Sequence, residues 1–208
     1  FVFITAGWTW MKFFQSGSDP ASVTGWMMLG LIGGFIFAMV TIFKQEWAPV
    51  TASLYALCEG FFIGGVSSLF EAKYPGITIQ AAALTFGTLL SMLVAYRSGA
   101  IRATEGFKLG VVAATGGIAL FYFIAIILSF FGIPVSIIYE GGVLGIAFSL
   151  FVVAIAALNL VIDFDLIEQG ARRGAPKYME WYGSFALMVT LIWLYIEFLR
   201  LLSKARSR

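Results

Sequence analysis

Residues Leu158 to Gly170 read LNLVIDFDLIEQG, and they close a long apolar run. They carry Asp163 and Asp165 where a membrane helix ordinarily carries no charge. A second stretch, Leu191 to Lys204 (LIWLYIEFLRLLSK), sets Glu197 inside the last apolar run. An acid within hydrocarbon is costly, so each such residue is by default a functional candidate.

The rest of the chain makes the membrane reading general. Of 208 residues, 61% are hydrophobic and only 12% are charged, where a soluble domain has roughly a quarter charged. The mean hydropathy is +0.95. The net charge of +2 is too small to argue for nucleic acid as a partner. The absence of histidine removes Ser-His-Asp and Cys-His hydrolases, histidine-ligated haem and most zinc sites, so no enzyme and no tightly bound cofactor are expected. Cys58 is the single cysteine, which rules out a disulfide within the chain.

Seven apolar runs follow in order: Phe1 to Phe14, Val23 to Phe43, Trp47 to Phe70, Ile77 to Tyr96, Leu109 to Phe131, Val143 to about Gly170, and one between Tyr178 and Leu202. Lys73 and Pro75 follow the third, and Gly132 and Pro134 close the fifth. Crossing a hydrocarbon core of about 30 Å takes roughly 20 apolar residues. The first run is shorter than that, so the chain is expected to continue upstream of Phe1. Backbone groups find no partner in lipid, and the runs lack the alternation of a barrel, so they are helices. The predicted fold is a single all-α domain over residues 1–208, a compact bundle of seven transmembrane helices. Glycines spaced by four (Gly30/Gly34, Gly60/Gly64, Gly106/Gly110, Gly141/Gly145) predict close helix crossings.

Lysine and arginine set the orientation. The loops between runs two and three, four and five, and six and seven hold Lys44, Arg97, Arg102, Lys108, Arg172, Arg173 and Lys177; the opposite loops hold Lys12 and Lys73. The first group is therefore read as cytoplasmic. A strict count puts the tail, with Arg200, Lys204, Arg206 and Arg208, on the opposite side. Either the tail is an exception or the last segment re-enters without crossing.

The acids differ in setting. Glu59 lies amid apolar residues in the third run, either as packing glue or as part of a path. Asn159 lies one turn before Asp163 on the same face, while Asp165 points about 200° away from Asp163. Asp165 and Glu168 read as a wet helix end beside Arg172 and Arg173. Glu197 has Arg200 one turn on, and the bland alternative is an intrahelical pair. A plain hairpin would not bring Asp163 level with Glu197; they align if Lys177 to Tyr182 (KYMEWY) lies along the interface and the last span begins near Gly183.

Two segments, Val161-Ile-Asp-Phe-Asp-Leu-Ile167 and Leu194-Tyr-Ile-Glu-Phe-Leu-Arg200, resemble the Bax-inhibitor family of membrane proteins, in particular its bacterial YccA-like branch. The family's acids of helices six and seven map onto Asp163 and Glu197, with Glu here where Asp is familiar, and its basic residue after the second helix is matched nearest by Lys44. The resemblance implies seven helices with the last one central, a bacterial inner-membrane location, and a pH-sensitive calcium leak controlled by paired acids.

On that expectation Asp163 and Glu197 share a proton when closed. When deprotonated they hold calcium weakly, in the roughly 10⁻⁴–10⁻³ M range, since two carboxylates supply only part of its shell. The expected partners are lipid, calcium and protons, and one further membrane protein is possible. A proton-coupled transporter using the same acids, or a non-transporting regulator of proteolysis or cell survival, are the rival readings. An intramembrane aspartyl protease lacks its Gly-x-Gly-Asp, and a retinal receptor lacks its mid-helix lysine.

Overall fold

A computed structural model describes residues 1–132 and 142–207. Pro134, Gly141 and Arg208, named above, lie outside the described residues. The described helices are α1 (Val2–Gln15), α2 (Ala21–Phe43), α3 (Ala48–Lys73), α4 (Ile77–Arg97), α5 (Glu105–Phe130), α6 (Val143–Arg172) and α7 (Tyr178–Arg206), with a 3₁₀ turn at Gln45–Trp47 before α3. No strand occurs among the described residues. Six of these helices are long and apolar enough to cross a membrane. The exception is α1, whose 14 residues reach about 21 Å, so the expected seventh span does not meet the length criterion. Large apolar side chains such as Phe35, Ile79, Phe130 and Val143 point outward, as lipid contact requires and water would penalise.

Two compact units form, one from Phe1–Thr78 with Ile167–Met188, the other from Ile79–Leu166 with Val189–Arg208. In the first, α3 packs on α1 and α2. The glycine spacing explains how. A Cβ at Gly64 would stand 2.5 Å from the Ala6 carbonyl oxygen, and one at Gly30 would stand 2.5 Å from that of Cys58. No side chain fits at either crossing. The Gly106/Gly110 pair differs: a Cβ at either would meet nothing within 4 Å, so the spacing there marks no crossing. Glu71 accepts hydrogen bonds from the backbone N–H groups of Gly76 and Thr78, placing a carboxylate at the start of α4, where the helix dipole favours it.

The turn from α6 to α7 passes through Gly174 at φ +62°, a left-handed conformation that glycine adopts without strain. From Tyr178 the last helix runs unbroken to Arg206. Gly183, near which the last span was expected to begin, lies within this helix and admits Ile167, whose Cγ1 would lie 2.9 Å from a Cβ there. Burial does not single α7 out as the central helix either. In α3, α6 and α7, 39% of the apolar window is buried, against 17% in α2, α4 and α5.

In the second unit Thr104 caps α5, its hydroxyl accepting from the Phe107 N–H at 3.3 Å. Val152, Ala156 and Leu160 of α6 and Leu194 and Leu199 of α7 are buried. These apolar residues flank a column of polar ones.

Candidate functional site

The polar column in the second unit follows from spacing. On α5, Lys108, Thr115 and Tyr122 recur every seven residues, and on α7 Thr190, Glu197 and Lys204 do the same. Seven residues are close to two helical turns, so each set lines one face. Across from them α6 presents Gly145, Ser149, Asn159, Asp163 and Asp165.

At one end the Lys108 ammonium pairs with Asp165 at 2.8 Å, and the Tyr96 hydroxyl donates to the same carboxylate at 3.4 Å. Two residues earlier on α6, Asp163 is 8% exposed, and its hydrogen-bonding neighbour is Thr190. The Asn159 amide donates to Thr115 at 2.8 Å. Further along, Glu197 is 1% exposed; it accepts from the Tyr122 hydroxyl at 3.0 Å and from the Arg200 guanidinium at 2.9 Å. Arg200 also lies 5.0 Å over the Tyr122 ring, a cation–π contact that keeps the guanidinium at the carboxylate. At the other end the Lys204 ammonium, 5% exposed, donates to the Gly145 carbonyl at 3.1 Å and to Ser149 Oγ at 3.0 Å. On α6 the column runs from Asp165 to Gly145, about 30 Å at 1.5 Å per residue, which is the thickness of a hydrocarbon core.

Asp163 Oδ2 and Glu197 Oε2 are buried without a hydrogen-bond partner. Such oxygens in an ionised acid are expensive in low dielectric and call for a proton or a cation. The two acids do not share their partners. Asp163 is matched to Thr190 and Glu197 to Tyr122 and Arg200. Thr190 and Glu197 stand two turns apart on α7, about 10 Å. Asp163 thus has its hydrogen bond at the level of Thr190, and Glu197 has its own at Tyr122 and Arg200.

The other sequence candidates lie elsewhere. Glu59 belongs to the first unit, where Tyr55 hydrogen-bonds it and a Cβ at Gly34 would fall 2.9 Å from its Oε1. Glu168 pairs with Arg172 on the half-exposed end of α6. Lys44 is exposed and rests over Trp47 at 4.6 Å. Among the described residues no three Cys, Asp or Glu side chains converge to hold a metal ion. Sequence reasoning passed over Lys108 as a loop cation, Lys204 as a tail cation, and Tyr122, Thr115 and Thr190 altogether. The seven-residue recurrence of polar residues within apolar runs is the signal that finds them.

These observations define a multi-pass helical membrane protein with a polar column through one of its two units. A family model described as Bax inhibitor 1 like matches residues 1–207, and the chain belongs to that family. No curated protein and no solved structure matches it.

Proposed function

We propose that this protein is a proton-sensitive cation leak of the bacterial plasma membrane that passes calcium along the column of α5, α6 and α7. The observation that carries this reading is the pair of partnerless buried oxygens, Asp163 Oδ2 and Glu197 Oε2. Asp163 must take a proton or a cation, Glu197 has one oxygen beyond those that Arg200 and Tyr122 satisfy, and exchange at these two oxygens is the gate. When protons occupy the acids, the column offers a cation no anionic station at Asp163 or Glu197 and the leak is closed. When the protons leave, two anionic stations open in series. Two carboxylates give calcium a partial shell, with dissociation in the roughly 10⁻⁴–10⁻³ M range, weak enough for the ion to move on. Because the acids keep separate partners, the reading takes them as successive stations rather than one proton-sharing pair. The reading takes the α2–α3, α4–α5 and α6–α7 connections as cytoplasmic, which the lysines and arginines of those loops support.

The test is calcium influx into liposomes holding the purified protein, stepped in pH. Influx falls as pH falls. Asp163→Asn and Glu197→Gln each lower it about tenfold, the ratio that about 1.4 kcal/mol produces, and flatten its pH response. Wild-type pH dependence in both variants rejects the reading. A second reading draws on Glu59, which with Tyr55 forms another protonatable site: a proton-coupled transporter, recognised by saturable uptake of an organic solute.

A further inference from the structure

Lys204 is a residue that the leak reading leaves without a role. Its ammonium is withdrawn from water and held by a backbone carbonyl and a hydroxyl. Oxygens of this kind replace a cation's hydration shell in selective pores. Its place on the helix matters as much as its ligands. Thr190, Glu197 and Lys204 share one face of α7, so an ion entering from the Gly145 end of the column meets Lys204 before Glu197. Beyond it waits Glu197 Oε2, buried and without a partner.

We propose that Lys204 is a tethered cation that occupies a monovalent-cation site made by the Gly145 carbonyl and Ser149 Oγ, and so closes that end of the column to potassium-sized ions. The proposal rests on the column being a cation path. An ammonium ion and a potassium ion are similar in size and charge, and both accept oxygen ligands. The side chain thus acts as an ion that cannot leave.

The rival account makes Lys204 a structural tie between α6 and α7. The two separate by experiment on the full chain in liposomes, with thallium as the potassium-sized probe. Lys204→Ala and Lys204→Met remove the charge, the second keeping most of the side-chain volume. Thallium influx is expected to rise about tenfold or more over wild type in both, since the barrier of a fixed charge in the path is gone. Millimolar methylammonium, which refits the vacated site, is expected to block the Lys204→Ala influx and leave wild type unaffected. Influx at or below the wild-type level in folded, monodisperse variants overturns the proposal, and so does a raised influx that methylammonium does not block. Failure of both variants to fold also counts against it, because a plug is dispensable to the fold and a tie is not. Calcium influx is read from the same vesicles. A wild type without calcium leak, alongside a methylammonium-blocked thallium leak in Lys204→Ala, rejects the calcium reading and keeps the plug. A pH-dependent calcium leak in wild type with unchanged thallium influx in the variants does the reverse.

Discussion

Glu197 shows how a charge is kept inside an apolar helix. The carboxylate, almost wholly buried, takes one hydrogen bond from Tyr122 and one from Arg200. Arg200 is about a third exposed along its side chain, so it reaches the buried acid from a wetter position while its stem covers apolar surface. Removing one partner of such a pair costs more than the pair contributes, because it strands the other. Arg200→Met is expected to destabilise the protein by about 2–3 kcal/mol. Adding Glu197→Gln is expected to restore most of that loss, a coupling that a double-mutant cycle of denaturation in detergent measures. The sequence shows Glu197 and its neighbour Arg200 plainly, since both break an apolar run within one turn. Tyr122 lies 75 residues away, and local periodicity does not reveal a partner at that distance.

At the scale of the helices, apolar run length located the six long helices to within a few residues at each end. The exceptions have physical causes. Lys108 was placed in a loop because charge was taken as the end of a run; the helix begins earlier, at Glu105 behind the Thr104 cap, and Lys108 pairs with Asp165. Gly183, near which the last span was read as beginning, lies inside the continuous last helix, where Ile167 needs room. Glycine spacing alone did not separate crossings from open faces: Gly60/Gly64 and Gly106/Gly110 look alike in sequence and differ in what stands opposite. Gly64→Ala is therefore expected to cost about 1–3 kcal/mol by forcing α1 away from α3. Gly116→Ala, where a Cβ meets nothing within 4 Å, is expected to be neutral or to stabilise by up to about 1 kcal/mol. Thermal unfolding of the two variants in one detergent compares them directly.

For the molecule as a whole, hydropathy identified a polytopic membrane protein from composition alone, while the column had to wait for tertiary structure. The arginines and lysines of the tail were the apparent conflict in orientation. Two of them are no longer part of it: Arg200 serves Glu197 and Lys204 sits inside the column. Arg206 donates to Gln80 near the start of α4 at 2.9 Å, so the C-terminal end of α7 lies beside the start of α4, at the end of that helix opposite the α4–α5 loop. The crossing and the re-entrant alternatives for the last segment differ in the side of the membrane that the tail reaches. Accessibility tests this. In a Cys58→Ser background, Ser98→Cys in the α4–α5 loop and Ser207→Cys in the tail are expected to react with a membrane-impermeant maleimide from opposite sides of the membrane. Labelling of both from one side would mean that α7 does not cross.

The polar face of α7 has a consequence for how the protein is made. A charged residue near the middle of a spanning helix costs about 2.5–3.5 kcal/mol during insertion, and the last helix carries Glu197, Arg200 and Lys204 within eight residues. The groups that receive these charges, Tyr122 on α5 and Gly145 and Ser149 on α6, come earlier in the chain and reach the membrane first. Synthesis from the N-terminus thus delivers the receiving surface before the helix that depends on it. The helix least suited to enter lipid alone is the last to arrive.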